Sequence, residues 1–150
     1  MAVEAAAYHR EQFAAHRSSY GPLMTALLDE GLGIPAVDYA AALAHQRRFR
    51  RYVETLFASR AAQLDALVMP ATDTTAPATL TTTGSPKFQA PWSYAGVPVV
   101  SIPCGLAGQR LPAALQFVGR RVEDAALLAV ARWCEQRVAF AELPPLLSRG

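Results

Sequence analysis

PWSYAGVPVVSIPCG, from Pro91 to Gly105, is the stretch on which the reading of the fold turns. Its centre, Val97 to Ile102, is an apolar run rich in β-branched residues, broken only by Pro98 and Ser101 and bracketed by proline and glycine. Branched side chains suit a pleated backbone, and a run apolar at consecutive positions suits a strand covered on both faces. The stretch therefore predicts a strand over 97–102. Such a strand either holds a core together or shapes the rim of a reaction site, and the neighbouring sequence has to decide between them.

Working outward, LAGQR predicts a turn over 105–110, and LPAALQFVG predicts a second strand with its proline near the start, where proline is tolerated. The short turn makes the two segments, 97–102 and 115–118, neighbours in one sheet, with the pairing direction left open. Upstream, DALVMPA reads as a short buried strand from Asp65 ended by Pro70. Residues 71–90 have no sustained period and many turn formers, so they read as loop; loops this long usually bind something or wrap a neighbour. Downstream, Glu123 and Asp124 precede AALLAVARWCEQRVAF, a helix over 125–140 that is acidic at its amino end, as the helix dipole prefers.

Helical periodicity dominates the first sixty residues. Ala2 to Arg17 is alanine-rich, with Tyr8, Gln12 and Ala15 on one side. Gly21-Pro22 interrupts it, and PLMTALLDE follows as a short helix closing at Gly31, with a second breaker at Gly33. Pro35 and Asp38 then open a long helix reaching about Ala62. On it Tyr39, Leu43, Gln46, Phe49, Val53 and Leu56 recur at spacings of four and three and mark one buried face. At roughly 40 Å it is long for a small free-standing domain and suits a helix crossing a broader body. The order is helices, then strand, loop, strand, strand, helix. Three strands are few for an α/β sheet, and the long helix and the closing helix are its expected cover.

Composition bears on what the chain can bind. The 150 residues are 52% hydrophobic and only 17% charged, where soluble domains carry about 25% charge. So thin a solvated surface fits a piece of a larger body or a subunit with a large buried interface. A net charge of +2 is too weak a bias to indicate nucleic acid. No run approaches the roughly 18 apolar residues of a membrane span, and MAVEAAAYHREQFAAHR lacks a signal-type hydrophobic segment. Cys104 and Cys134, far apart, read as ordinary thiols in preference to a single disulfide, which places the chain in the cytoplasm.

The groups that could carry chemistry are few. His9 and His16 lie seven apart on one helix and His45 on another, with no HExxH spacing and no cysteine partner, so surface or interface histidines are the preferred reading over a metal site. QRRFRR fans Arg47, Arg48, Arg50 and Arg51 over several faces, which suits a solvated flank or a carboxylate-bearing neighbour better than a phosphate track; Arg50 and Glu54 can pair at i,i+4. No G-x-S-x-G elbow is present, and Ser101 between valine and isoleucine reads as a satisfied core polar group in a strand. Cys104, between Pro103 and Gly105, has no basic neighbour in sequence to lower its pKa; a local structural role fits, with Gly105 letting the chain turn. Lys87, the one lysine, sits beside Ser85 and Pro86 in a polar loop and reads as a solvated ammonium.

DALVMPATDTTAPA, TGSPKFQAPWSYAGVPVVSIPCGL and LPAALQFVGRRVEDAALLAVARWCE together resemble the carboxy-terminal portion of the amidase signature family, and GLGIPAVDYAAALAHQRRFRR resembles the helix that precedes them there. The resemblance covers most of the chain. It implies an α/β fold that is a partial amidase-signature fold: a few-stranded mixed sheet flanked by helices, incomplete relative to the full domain, with residues 1–150 as its C-terminal portion. Its members hydrolyse carboxamides or related C–N bonds through an acyl-enzyme, using a serine nucleophile, a second serine in a cis peptide, and a lysine. Those motifs belong to an amino-terminal part that this sequence does not contain, and Lys87, Ser85, Ser93 and Ser101 match none of them. No catalytic, cofactor-binding or metal-binding residue is therefore expected here. Ser93 stands where many relatives have asparagine, and Ala114 where glycine is frequent. The short connection before Trp92 is closer to the general amidases than to the transamidosome subunit.

Two functions follow. One is a C-terminal fragment of an amidase-type hydrolase, inactive alone, whose partner is the missing N-terminal amidase portion or, through exposed apolar surface, further copies of itself. A small amide would be substrate only of the complete enzyme. The other is a noncatalytic binding or partner subunit built on the same partial fold. Neither involves nucleic acid or a membrane.

Overall fold

A computed structural model describes residues 1–58, 64–108 and 110–143. Two compact units are present, residues 1–47 and 48–150. In the first, the alanine-rich segment forms α1 (Ala2–Ala15), a 3₁₀ turn follows at Arg17–Ser19, and α2 spans Pro22–Gly33. Pro22 occupies the first turn of α2, where its missing N–H would have had no helical acceptor. The two helices meet through Ala6, Phe13 and Leu28, and Tyr20 closes edge-on against Phe13 with ring centres 5.1 Å apart.

One expectation is corrected in this unit. Tyr8, Gln12 and Ala15 share a side of α1 as expected, and that side faces solvent, while the opposite side, with Ala6 and Phe13, is buried. Gly31 does not close α2, which continues to Gly33. A Cβ at Gly31 would collide with the Ala2 carbonyl and stand 2.9 Å from the Ala6 Cβ. This glycine sets how closely two helices approach, and the alanines opposite it have the same cause.

α3 spans Ala36–Ala58, about 35 Å at 1.5 Å per residue. The expected stripe holds: Tyr39, Leu43, Gln46, Phe49 and Leu56 are partly buried and Val53 fully, while Arg47, Arg48 and Arg51 are exposed. Phe57 joins Val53 in the core. The continuation to about Ala62 falls outside the described residues.

The second unit holds a three-stranded sheet, among the described residues, of β1 (Leu67–Pro70), β2 (Val99–Ala107) and β3 (Leu111–Val118) in the order β1-β3-β2. Both ladders are antiparallel, with Leu67 opposite Val118 in one and Val100 opposite Phe117 in the other. The few-stranded sheet flanked by helices is as expected. Parallel pairs, which a mixed sheet also needs, require long crossovers, and the connection from β2 to β3 is a tight turn. Val100, Ile102, Leu115 and Phe117 point to one face and pack on Leu127, Ala131 and Cys134 of α5 (Asp124–Val138). Leu67, Met69 and Val118 point to the other and meet Val53 and Phe57 of α3 with Ala95 and Val97. The long helix and the closing helix thus cover opposite faces.

The opening stretch differs from its reading in two ways. Residues 90–95 form a short helix, α4 (Ala90–Ala95), that no periodicity in so few residues revealed. β2 starts two residues later than expected and continues past Ile102 to Ala107. The chain does not turn at Gly105, because a bulge between Pro103 and Gly105 absorbs Cys104 as an extra residue and pairing resumes at Ala113.

Candidate functional site

The segment from Ala90 to Gly105 is held by contacts that converge from three directions. α4 ends in a Schellman motif: Gly96, at φ 70°, donates to the Ser93 carbonyl, and Val97 N–H reaches back to Trp92 at 3.3 Å. Only glycine takes that left-handed conformation without steric cost. The carbonyl of Ala95, the last residue of α4, accepts from Arg50 Nε at 2.8 Å. Of the four clustered arginines, Arg50 is the half-buried one, and its charge lies at the carboxyl end of a helix, where the dipole favours it. Trp92 Nε1 donates to Met69 Sδ at 3.2 Å and so ties α4 to β1.

Two glutamines anchor the long loop beneath this segment. Gln116, buried in central β3, donates from Nε2 to the Phe88 carbonyl at 2.8 Å, and Gln89 Nε2 donates to the carbonyl of Ala71. Lys87 pairs with Asp73 at 2.8 Å and lies 5.2 Å above the Phe88 ring. The hydrogen bond from Lys87, with its charge adding to it, holds the Asp73 carboxyl below its usual value against an opposing desolvation. Lys87 is thus paired with a carboxylate at the surface. It anchors the loop.

The serines do not assemble into a catalytic group. Ser101, expected in the core, is instead exposed on β2, opposite Gln116, where the sheet face is uncovered; Ser93 is exposed on α4; Ser85 Oγ accepts the Lys87 backbone N–H at 3.4 Å. Among the described residues no hydrogen bond joins any of these hydroxyls to the side chain of a lysine or histidine, the partner that a serine nucleophile needs. Cys104 Sγ contacts the Ala113 carbonyl at 3.5 Å within the bulge, and Cys134 packs in the α5 layer; both are free thiols. His9 Nδ1 hydrogen-bonds the Tyr20 hydroxyl at 3.1 Å, and His16 follows the end of α1. Among the described residues no three His, Cys, Asp or Glu side chains come together as a metal site would require. None of the described helices is long and apolar enough to cross a membrane.

An open cleft of about 440 Å³ lies on the α3 side of the sheet, floored by Val53, Phe57 and Val97 and rimmed by Glu54, Arg120 and Arg121. Arg120 donates to the Leu64 carbonyl at 3.1 Å, and its Nε is buried without a partner. The sequence reading missed this cleft, since its walls come from positions more than sixty residues apart in the chain.

Against known proteins, the amidase family model matches residues 4–128. The AmiD protein of Mycobacterium tuberculosis is 27% identical over 154 residues, covering 96% of this chain and 32% of that protein. A glutamyl-tRNA(Gln) amidotransferase subunit of Rhizorhabdus wittichii is 31% identical over 144 residues, covering 90% of this chain and 29% of the relative. Among solved structures, an amidase superposes with a TM-score of 0.77 at 30% identity, over 91% of this chain and 33% of its own. The chain spans about a third of the length of the relatives it matches. The match extends from the first helix to the closing one, through the α4 turn and both antiparallel ladders, and on that evidence this chain belongs to the amidase family.

Proposed function

We propose that this chain is the carboxy-terminal part of an amidase-type hydrolase acting on carboxamide C–N bonds, and that it works only with the amidase portion bearing the Ser-Ser-Lys motifs, on the same or a separate polypeptide. The observation that carries the reading is the family match over residues 4–128 by a chain about a third as long as its relatives. The dispersal of Ser85, Ser93, Ser101 and Lys87 supports it, since acyl transfer needs an oriented nucleophile, a base and oxyanion donors together. In this reading the chain supplies sheet, cover and part of the substrate-side rim, and no catalytic, cofactor or metal ligand of its own. The small amide is a substrate of the assembled enzyme in the cytoplasm, and no nucleic acid or membrane takes part.

Residues 1–150 purified alone are expected to release no ammonia from simple carboxamides above the uncatalysed rate, as measured by a coupled ammonia assay. Reproducible turnover that disappears in Ser101→Ala, with the fold intact by circular dichroism, would give Ser101 a catalytic role and overturn the reading.

A further inference from the structure

The chain has three methionines, and they stand in different surroundings. Met1 and Met24 are 86% and 41% exposed, the first at the amino terminus and the second on α2. Met69 is half-buried in β1, with its backbone opposite Gln116 of central β3. Its side chain packs beside the core of Val53, Phe57, Ala95, Val97 and Val118, and its Sδ accepts the indole N–H of Trp92 at 3.2 Å. An indole N–H can only donate and needs a partner where water is drawn away. The thioether supplies one, although sulfur is a weak acceptor.

What this bond holds is α4. Six residues are too few for a helix to persist on its own propensity, so α4 depends on what fastens it from outside. Arg50 fastens its carboxyl end at the Ala95 carbonyl, and Trp92 fastens its middle to Met69. The Trp92 carbonyl in turn accepts the N–H groups of Gly96 and Val97, at 2.9 and 3.3 Å, which close the helix. Trp92 therefore binds β1 through its side chain and the closing turn through its backbone. β1 is the firmer partner: it is laddered to β3 from Leu67 to Pro70, and Ala71 N–H adds a bond to the Ala114 carbonyl at 2.9 Å. A change at the Met69 sulfur is relieved by α4, not by the strand.

We propose that Met69 is a site of reversible oxidation, and that its conversion to the sulfoxide by a hydroperoxide releases α4 from β1. In that step a sulfur lone pair attacks a peroxide oxygen and forms the S–O bond. The O–O bond breaks, and the other oxygen leaves with the proton as water or an alcohol. Sulfur gives up two electrons and the peroxide takes them. An oxygen on the lone pair that faces Trp92 stands in the line of the N–H···S bond and forces the indole back. An oxygen on the other lone pair leaves the sulfur electron-poor and a far poorer acceptor. The N–H···S bond ends in both cases, and a polar group enters the margin of an apolar cluster. The proposal rests on the fold of the second unit alone and is independent of the activity assigned above.

Hydrogen peroxide is the probe, with the sulfoxide at each methionine followed by peptide mass spectrometry and the closure of α4 by amide hydrogen exchange. Met69 is expected to convert more slowly than Met1 and Met24, in the order of their exposure. Its conversion is expected to speed exchange at Gly96 and Val97 about threefold to tenfold. Ala71 and Gly119, whose N–H groups bond to Ala114 and Pro98 beside the two ladders, are expected to stay slow. Methionine sulfoxide reductases of both stereospecificities are expected to restore slow exchange at Gly96. Met69→Leu keeps Met1 and Met24 and is expected to show no effect of peroxide at Gly96. Trp92→Phe, which lacks the donor, is expected to exchange fast before peroxide and no faster after it. Conversion of Met69 with unchanged exchange at Gly96 and Val97 overturns the proposal. Equal acceleration at Ala71 and Gly119 overturns it as well, since the unit then opens as a whole. So does a peroxide effect that survives Met69→Leu or Trp92→Phe, or a Met69 left unconverted when Met1 and Met24 are fully oxidised.

Discussion

Gln116 sits in the middle strand of the sheet with 1% of its surface exposed, a polar side chain in a place where leucine would ordinarily stand. Its Nε2 holds the Phe88 carbonyl, 28 residues away, and through it the end of the long loop. A partly buried carbonyl that loses its donor keeps part of its desolvation cost, so the substitution is worse than losing one ordinary hydrogen bond at the surface. Gln116→Leu is expected to lower stability by about 1–3 kcal/mol in urea denaturation and to speed proteolysis between residues 71 and 90. Unchanged stability with an unchanged cleavage rate would show that the contact carries no net energy. The sequence marks the strand that bears Gln116 but not its partner, since a side-chain amide reaching a loop carbonyl has no spacing that a pattern can read.

At the scale of elements, glycines with different tasks look alike in sequence. Gly33 and Gly96 end their helices, whereas Gly31 lies inside α2 at the contact with α1. Restoring a side chain there forces helices apart that Ala2 and Ala6 allow to approach. Gly31→Val is expected to destabilise the first unit by about 1–3 kcal/mol, read as a lower urea midpoint for helical circular dichroism, in spite of the helix propensity gained by removing glycine. An unchanged or raised midpoint would mean that the contact is slack. The strands teach the complementary lesson. Apolar composition located β2 and β3, β-branched in the first and preceded by a turn in the second, but the start and end of β2 depended on a six-residue helix at Ala90–Ala95 and on a bulge at Cys104, both decided by tertiary pairing.

For the whole molecule the governing quantity is uncovered apolar surface. Val68, Val99, Leu128 and Trp133 stand more than a third exposed on the sheet and α5, in a chain with only 17% charged residues to keep it apart from others. The isolated chain is expected to associate with rising concentration in light scattering, and the complementary amidase portion to convert it into a one-to-one species of fixed mass. A monodisperse monomer at all concentrations would show that the surface is self-sufficient, as a noncatalytic binding domain requires.

By itself, the sequence determined the four longer helices, the three strands and their order along the chain, the buried stripe of α3, and the ordered motifs of the amidase family, because each rests on local periodicity, on turn chemistry or on a linear series of residues. Only the tertiary structure decided that both ladders are antiparallel, which side of α1 is buried, what Gly31 and Arg50 do, and what Met69 holds. Those outcomes depend on partners distant in the chain: the Ala2 carbonyl for Gly31, the end of α4 for Arg50, and the Trp92 indole for Met69. Local pattern limits how each residue can be used, and the energy of long-range packing selects among the uses left open.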